Sequence, residues 1–218
     1  MSSSLAIFDL DSTLLDGDCE LIWCQYMLEK GLIGKDFLPT IEEYCRDYED
    51  GLLDYSAYER YLLSPLKHIQ PVKLQDCMNE FMEVLNPFFR LYMLEKIEAH
   101  RHKGHVLLLA TASNHLLAQP VASFLGISNL ICTWMEMEDG VPTGEIAKPA
   151  PFRELKVKAI AEFAGELNAD LAKSWGYSDS HNDIPFLTAV GHPVAVSPDK
   201  KLREHASQKG WQIIEKPL

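Results

Sequence analysis

Six short apolar runs alternate with longer helical patterns along most of the chain, and this alternation restricts the fold more than any other feature. Each run is rich in aliphatic residues and is bounded by turn residues, as buried strands are. Because helical patterns separate the later runs, the sequence predicts an α/β fold, a mainly parallel sheet with helices on both faces. The runs predicted as strands are residues 4–10, 105–111, 130–135, 173–179, 192–196 and 211–214.

The interval between the first two predicted strands, about residues 13–104, is far longer than an ordinary β-α-β crossover. It contains helical stretches punctuated by glycine and proline, and its last stretch is typical of a helix that returns to the sheet. The sequence therefore predicts an inserted all-helical cap domain at residues 16–86, with residues 1–15 and 87–218 forming the core. Ligands bind at the carboxyl ends of parallel strands, so the cap is expected to cover that edge as a lid.

Charge and cysteine content exclude several classes of protein. The formal net charge of −12 disfavours binding to nucleic acid through its phosphates, since that requires a basic face. The five cysteines are scattered without a Cys-x-x-Cys pair, so neither a disulfide framework nor a zinc site is predicted. No signal-peptide pattern and no apolar run of membrane-spanning length are present. These observations predict a cytoplasmic protein that binds neither nucleic acid nor membranes, and they leave its oligomeric state open.

Polar residues lie at the ends of three predicted strands. Asp9 and Asp11 follow the first strand, and Thr111 ends the second. Asp179 ends the fourth, and Asp183 follows shortly after it. A single aspartate after a strand is most often a turn former or a helix N-cap, but capping does not explain this set at one edge. Because the carboxyl ends of parallel strands meet at the same edge of a sheet, the sequence predicts a site there.

The residue types at this edge indicate phosphoryl chemistry. Several carboxylates in one place repel one another unless a cation offsets them, and oxygen ligands suit Mg²⁺, which also binds substrate phosphate. An aspartate beside the metal is able to attack phosphorus and form an aspartyl-phosphate. Asp11, two residues after Asp9, is placed to protonate the leaving oxygen and later to take a proton from water. The Thr111 hydroxyl and the backbone amide of Ala112, at a predicted helix start, suit phosphate oxygens.

A lysine is also expected, to hold both the phosphate and the attacking carboxylate. Lys156 shares a predicted helix face with the apolar residues Phe152 and Ile160, so it points inward, whereas Lys158 faces away. Lys148 precedes a Pro-Ala-Pro segment and is predicted to lie in a loop. Helix geometry favours Lys156 and leaves Lys148 as the alternative.

Four motifs resemble those of the haloacid dehalogenase-like superfamily, and within it the phosphoserine-phosphatase-like branch, subfamily IB. The motifs are FDLDST around Asp9, LLLATAS around Thr111, FRELKV around Lys156 and GYSDSHNDIPFL around Asp179. The resemblance covers nearly the whole chain and implies a Rossmann-like core, with Asp9 as nucleophile and Asp11 as general acid and base. It also implies Mg²⁺ held by Asp9, the Asp11 carbonyl and Asp179. Asp183 would support the metal shell or orient Lys156.

The same resemblance points to two residues of the cap for substrate recognition. Phosphoserine phosphatases use a glutamate shortly after the first motif and a cap arginine to hold the amino acid. Asp18 occupies the glutamate position and Arg60 the arginine position. A carboxylate at Asp18 suits an amine of the substrate, and Arg60 suits a carboxylate or another anion. Both are therefore predicted to bind the substrate.

Together these features predict a Mg²⁺-dependent phosphatase that hydrolyses a small phosphorylated metabolite, similar to phosphoserine or histidinol phosphate, through an aspartyl-phosphate. One alternative is a phosphotransferase or phosphomutase of the same superfamily, in which a second hydroxyl replaces water. Another is a phospho-acceptor signalling domain, which also places Asp, Thr and Lys at strand ends. Asp11 and the long helical insertion disfavour the signalling domain, because a switch needs neither a leaving-group acid nor a lid.

Overall fold

The computed structural model describes residues 3–216, and eight strands and nine α-helices lie within them. The strands are β1 (Leu5–Phe8), β2 (Val106–Asn114), β3 (Asn129–Thr133), β4 (Met135–Glu138), β5 (Val141–Ile146), β6 (Trp175–Ser178), β7 (His192–Val196) and β8 (Gln212–Ile214). The helices are α1 (Cys19–Glu29), α2 (Leu38–Asp50), α3 (Tyr55–Leu63), α4 (Pro71–Leu85), α5 (Leu91–His102), α6 (His115–Phe124), α7 (Glu154–Glu166), α8 (Ile184–Ala189) and α9 (Lys200–Lys209). None of these helices is both long and apolar enough to cross a membrane.

Six strands form one sheet in which all neighbouring strands are parallel. The order is β3-β2-β1-β6-β7-β8, so β1 lies inside the sheet between β2 and β6. Phe8 on β1 is level with Leu109 on one side and with Tyr177 on the other. The carboxyl ends of β1, β2 and β6 therefore reach the same edge. All six strands predicted from the sequence are confirmed.

Helices cover both faces of this sheet. Side chains of a strand point alternately to its two faces, and every residue of β1 is fully buried, as in the inner strands of a parallel sheet. Ala6 and Phe8 belong to an apolar cluster that includes residues of α5 and α6. Leu5 and Ile7 belong to a second cluster, with residues of α7, α8 and α9. The predicted Rossmann-like core is therefore confirmed.

Helices α1–α4 form an all-helical insertion between β1 and α5, as predicted. The chain enters and leaves this helical insertion side by side, since Leu15 and Phe89 pair as an antiparallel bridge. In addition, the Asp16 N–H donates to the Phe88 carbonyl at 2.7 Å. The two connections thus form a short two-stranded neck. The boundaries predicted for a cap domain, residues 16–86, lie close to this neck and stay a prediction.

The hairpin of β4 and β5 was not predicted from the sequence. The strand expected over residues 130–135 ends at Thr133, and Met135 instead begins β4. The hairpin turns at Asp139 and Gly140, which both have positive φ. An Asp-Gly pair is typical of such two-residue turns, so it was the available signal. The hairpin packs against α3 of the helical insertion.

Gly191, in the turn before β7, provides a test of how closely this turn approaches its neighbour. A Cβ at Gly191 would lie 1.8 Å from the Ala172 carbonyl oxygen, which is backbone and cannot easily move. We expect Gly191→Ala to lower the free energy of unfolding by about 1–3 kcal/mol, measured by urea denaturation.

Gly165 offers the matched control, since it lies in α7 and a Cβ there meets nothing within 4 Å. Gly165→Ala is expected to raise the free energy of unfolding by about 0.5–1 kcal/mol, because alanine favours the helix. An unchanged urea midpoint for Gly191→Ala would contradict the close approach.

Candidate active site

A cavity of about 500 Å³ lies between the carboxyl ends of β1, β2 and β6 and the helices α1–α3. Parallel strands bring residues that are distant in sequence to this one place. The lining includes all but one of the site residues predicted from the sequence: Asp9, Asp11, Asp18, Thr111, Ala112, Lys156, Asp179 and Asp183. Arg60 is the exception.

Asp9 follows β1 and is almost completely buried, with 8% of its surface exposed. Its Oδ1 accepts a hydrogen bond from Lys156 Nζ at 2.8 Å, and the Thr13 hydroxyl lies 3.4 Å from its Oδ2. Burial raises the pKa of Asp9, Lys156 lowers it and Asp183 raises it again, with a resulting pKa of about 6. The ion pair with Lys156 therefore favours the ionised form of Asp9.

Lys156 is a buried cation shared between two buried carboxylates. Its Nζ donates to Asp9 Oδ1 at 2.8 Å and to Asp183 Oδ2 at 2.6 Å. Burial opposes the charge, but the two carboxylates outweigh it and hold the pKa of Lys156 above its usual value. The Ser178 hydroxyl donates to the same Asp183 oxygen at 2.8 Å. Lys148 is exposed and does not line the cavity, so the structure places Lys156 and not Lys148 beside Asp9.

Asp11 is held by two donors that were not predicted from the sequence. Its Oδ1 accepts a hydrogen bond from the Cys19 N–H at 2.6 Å, at the start of α1. Its Oδ2 accepts a hydrogen bond from the Ser113 hydroxyl on β2. Burial, assisted by the charge of Asp18, raises the pKa of Asp11 to about 7. Such a carboxyl is partly protonated at neutral pH, which suits a group that both gives and takes a proton.

Asp179 shares the Thr13 hydroxyl with Asp9, a link that was also not predicted. Thr13 Oγ1 donates to Asp179 Oδ1 at 2.9 Å and lies 3.4 Å from Asp9 Oδ2. Burial and the charge of Asp9 raise the pKa of Asp179 well above its usual value. Two carboxylates that share one hydroxyl repel each other, and a divalent cation between them would relieve that repulsion.

This donor set fits the predicted Mg²⁺. Among the side chains that the structure describes, no group of three or more from His, Cys, Asp or Glu is arranged to hold a metal ion by itself. Mg²⁺ does not need such a group, because it is commonly bound by one or two carboxylates, with waters and substrate phosphate completing its octahedron. Asp9 and Asp179 supply two carboxylates, and the predicted third ligand is the backbone carbonyl of Asp11.

The end of β2 differs from the prediction. Thr111 and Ala112 were expected at a helix start, but β2 continues to Asn114 and α6 begins at His115. The Thr111 hydroxyl accepts a hydrogen bond from the Ser113 N–H at 3.1 Å. Thr111 and Ala112 line the cavity as expected, but as extended backbone and not as a helix N-terminus.

The two residues predicted for substrate recognition lie in different places. Asp18 lines the cavity and caps α1, since its Oδ1 accepts hydrogen bonds from the N–H groups of Glu20 and Leu21 at 2.8 and 3.1 Å. Arg60 does not line the cavity. Its half-exposed guanidinium donates to Glu145 on β5 at 2.6 Å, because the unpredicted hairpin packs beside α3. The structure therefore corrects the position of Arg60, which joins the helical insertion to the hairpin.

Two buried glutamates lie beside the cavity, and neither was predicted as a site residue. Glu20 on α1 lines it, and Glu59 on α3 is completely buried. Asn114 joins them: its backbone and side-chain N–H groups donate to Glu20 Oε1 at 3.1 and 3.0 Å, and its side chain lies 3.4 Å from Glu59 Oε2. Burial raises the pKa of both carboxyls, that of Glu59 to about 8. For Glu20, the signal available in the sequence was an acidic residue inside the apolar stretch CELIW.

Aromatic rings line the same part of the cavity. Four come from α2 and α3 and one from the loop before α7: Tyr44, Tyr48, Tyr55, Tyr58 and Phe152. The ring centroid of Phe152 lies 5.2 Å from that of Tyr55 and 5.6 Å from that of Tyr48. A tyrosine-rich segment was visible in the sequence, but periodicity alone does not distinguish a cavity wall from a core.

Most of the chain matches one family model, that of the haloacid dehalogenase-like hydrolases, over residues 6–188. The chain belongs to the haloacid dehalogenase-like hydrolase family. The family predicted from the four sequence motifs is thereby confirmed.

Two relatives of this hydrolase are named as phosphatases. A histidinol-phosphatase of Neisseria meningitidis is 34% identical over 97% of the chain and 98% of its own length. A phosphoserine phosphatase of Mycobacterium tuberculosis is also 34% identical, over 97% of the chain and 70% of its own length. A solved structure of a protein of unknown function from Bordetella pertussis Tohama I has a TM-score of 0.89 at 33% identity, covering 98% of this chain and 99% of that one. The predicted enzyme class, a phosphatase, is confirmed.

Replacing Lys156 with methionine tests the charge arrangement of this hydrolase. Lys156→Met leaves Asp9 and Asp183 buried without their cation, so we expect the free energy of unfolding to fall by about 3–5 kcal/mol. Lys158→Met is the matched control on the same helix, since Lys158 is exposed, and a change within about 0.5 kcal/mol is expected. Urea denaturation in EDTA measures the free energy of unfolding of both variants. Equal losses would show that the buried ion pairs of Lys156 do not stabilise the fold.

The raised pKa of Glu59 predicts a pH dependence of stability. The pKa is about 8 in the folded protein against an ordinary value of 4.5, so between these values the folded state binds more protons. Its free energy of unfolding therefore falls as pH rises through this range. Glu59→Gln removes that contribution, so its stability relative to wild type is expected to improve from about pH 5 to about pH 8.

Thermal unfolding in EDTA at the two pH values measures this difference. Glu42→Gln, which removes an exposed carboxyl on α2, is the control and should behave like wild type at both. A Glu59→Gln difference that does not change with pH would refute the raised pKa.

Proposed function

We propose that this protein is a Mg²⁺-dependent phosphomonoester hydrolase that cleaves a small metabolite phosphate through an aspartyl-phosphate on Asp9. The observation that carries the proposal is the contrast between two aspartates at the end of β1. Asp9 accepts a hydrogen bond from the Lys156 ammonium, whereas Asp11 accepts hydrogen bonds from the Cys19 N–H and the Ser113 hydroxyl. The first is suited to attack phosphorus and the second to move protons.

In the first half of the reaction, an Asp9 carboxylate oxygen attacks phosphorus and the bond from phosphorus to the ester oxygen breaks. Asp11 gives its proton to that oxygen, and the organic group leaves as an alcohol. The hydrogen bonds that Asp11 accepts from Cys19 and Ser113 hold its carboxyl in a fixed orientation for this transfer.

In the second half, the ionised Asp11 takes a proton from a water molecule, whose oxygen attacks the phosphorus of the aspartyl-phosphate. The bond between Asp9 and phosphorus breaks, inorganic phosphate leaves and the Asp9 carboxylate is restored. One carboxyl thus acts first as acid and then as base, which requires a pKa close to the working pH.

Three groups are proposed to bind the phosphoryl oxygens: the Lys156 ammonium, the Thr111 hydroxyl and the Ala112 amide. All three residues line the cavity. Asp183 accepts a hydrogen bond from Lys156 at 2.6 Å, and its proposed role is to orient that lysine. Fixed donors of this kind stabilise charge that develops in the transition state.

Asp9, Asp179 and the Asp11 carbonyl are the groups proposed to hold Mg²⁺. When bound, the ion supplies positive charge that allows a phosphate dianion to approach buried carboxylates. Burial raises the pKa of Asp179 and the charge of Asp9 raises it further, and this repulsion between the two carboxylates supports the assignment. Thr13 keeps the two carboxylates side by side.

The organic group of the substrate is proposed to occupy the part of the cavity next to α1–α3, in contact with Asp18. Relatives named as histidinol-phosphatase and phosphoserine phosphatase support an amino-bearing phosphate of low molecular weight. The cavity volume of about 500 Å³ suits such a molecule. A metabolite substrate accords with the proposed cytoplasmic location, and the helical insertion at residues 16–86 would serve as its lid.

Asp9→Asn tests this mechanism, because the amide keeps the shape of the side chain but does not attack phosphorus. Phosphate release from histidinol phosphate or phosphoserine in Mg²⁺ is expected to fall by more than about a thousandfold, and EDTA is expected to abolish release by the wild type. Asp76→Asn, on the exposed surface of α4, is the matched control and should retain the wild-type rate.

The alternatives give different outcomes in the same assay. Stable labelling of Asp9 by acetyl phosphate without continuing release would indicate a phospho-acceptor domain. Transfer of phosphate to an added alcohol in place of water would indicate a phosphotransferase. Undiminished release by Asp9→Asn would show that another group is the nucleophile.

A further inference from the structure

The two ends of the cavity differ in charge: the core end combines lysines with the aspartates of the proposed metal site, whereas the end at the helical insertion has carboxylates alone. The lysines that line the cavity, Lys156, Lys200 and Lys201, all belong to the core. The helical insertion contributes Asp18 and Glu20 to the lining but no lysine or arginine. Its lysines and arginines are all exposed: Lys30, Lys35, Arg46, Arg60, Lys67 and Lys73. The end at the helical insertion therefore suits a positive group of the substrate, and the end that holds the lysines and the proposed Mg²⁺ suits its phosphate.

The acidic end holds more carboxyl groups than the residues around it can keep ionised. Glu59 lies next to Glu20, and Asn114 connects the two. The charges of Glu59 and Asp18 add to the burial that raises the pKa of Glu20. Among the described residues, Glu59 Oε1 and Asn114 Oδ1 are buried without a hydrogen-bond partner. A positive group of the substrate at this end would reduce the repulsion among the three carboxyls.

The aromatic rings at this end favour the same type of ligand. Tyr58 has its ring centroid 6.0 Å from that of Tyr55 and 5.5 Å from that of Tyr44. Phe152 continues this wall, 5.2 Å from Tyr55. Aromatic faces attract ammonium groups and stack on flat cationic rings. Rings next to carboxylates therefore form a surface for an organic cation.

A carboxylate on the organic group of the substrate would meet no lysine or arginine at the insertion end of the cavity. Arg60, the one cap residue predicted to bind it, is turned outward and paired with Glu145. In its place, Asp18, Glu20 and the aromatic rings line this part of the cavity. Burying a carboxylate beside other carboxylates is unfavourable, so the site should discriminate against a carboxylate-bearing phosphate ester.

We propose that this protein selects phosphomonoesters whose organic group is a cation without a carboxylate, with the positive group held by Asp18 and Glu20 against the tyrosine wall. The substrate class is thus amino alcohol phosphates. This inference rests on the proposed function, because the phosphate of such a substrate has to lie at Asp9. It goes further by excluding a carboxylate from the organic group and by assigning Glu20, beside Asp18, as a residue that determines specificity.

Three esters of similar size test the inference on the wild type. Phosphoethanolamine and phosphoserine differ only in the carboxylate, and phosphoethanolamine and propyl phosphate differ in the positive charge. We expect kcat/KM for phosphoethanolamine to exceed that for each of the other two by roughly tenfold or more. Release from p-nitrophenyl phosphate by wild type and by Asp9→Asn is measured in parallel, to report on the chemistry alone.

Glu20→Gln tests the specificity residue, since glutamine keeps the shape and the carbonyl that accepts from Asn114. The ratio of kcat/KM for phosphoethanolamine to that for propyl phosphate is expected to fall by roughly tenfold. Glu42→Gln, which removes an exposed carboxyl outside the cavity, should leave the ratio unchanged. If Glu20→Gln fails to fold, the three esters on the wild type decide the question.

The outcomes separate the two proposals. Equal kcat/KM for the three esters, or no release from any of them while p-nitrophenyl phosphate is cleaved through Asp9, would overturn the inference alone. A preference for phosphoserine would also overturn it and would place the carboxylate at Lys200 and Lys201. Release from p-nitrophenyl phosphate that is absent or does not depend on Asp9 would overturn the proposed function itself.

Discussion

The ion-pair network around Lys156 is the interaction on which the site depends. One buried ammonium joins Asp9 at the end of β1 to Asp183 beyond β6, and α7 supplies the lysine. A buried charge without a partner is strongly unfavourable. The end of β1, the segment after β6 and α7 therefore have to keep their relative positions for the core to be stable. The network also orients the carboxylate that is proposed to attack phosphorus. The same contacts therefore serve stability and reactivity.

The rest of the site contains more carboxyl groups than this lysine can neutralise. Asp11, Asp179 and Glu59 all have raised pKa values, and burial is the first cause for each. Such an arrangement costs stability in the free protein, and a metal ion and a positive substrate group would relieve it. These carboxyls lie at both ends of the cavity, and Asp11 at the core end is affected by the charge of Asp18 at the end next to the helical insertion. The proposed chemistry and the proposed choice of substrate therefore depend on the carboxyls of one cavity.

Contacts between the helical insertion and the core close the cavity on one side. The Tyr48 hydroxyl on α2 lies 3.2 Å from the Ser180 hydroxyl, next to Asp179. The Arg153 guanidinium donates both to the Gly51 carbonyl at 3.2 Å and to Asn182 Oδ1 at 2.9 Å. These bonds join the helical insertion to the loop that follows β6. A covered site excludes water, which strengthens its electrostatic interactions.

Local patterns in the sequence determined the six parallel strands, the helical insertion and the inward direction of Lys156. Strand and helix periods depend on neighbouring residues, and topology then sends the strand ends to one edge. The tertiary structure alone decided that Thr13 donates to Asp179 and that Glu59 lies beside Asn114, because these contacts join residues far apart in the chain. It also decided the position of Arg60, because the partner that draws it outward lies on a hairpin whose packing no local pattern encodes. A motif therefore identified the chemistry, but the surroundings of each charge, which set its pKa and its partner, exist only in the folded chain.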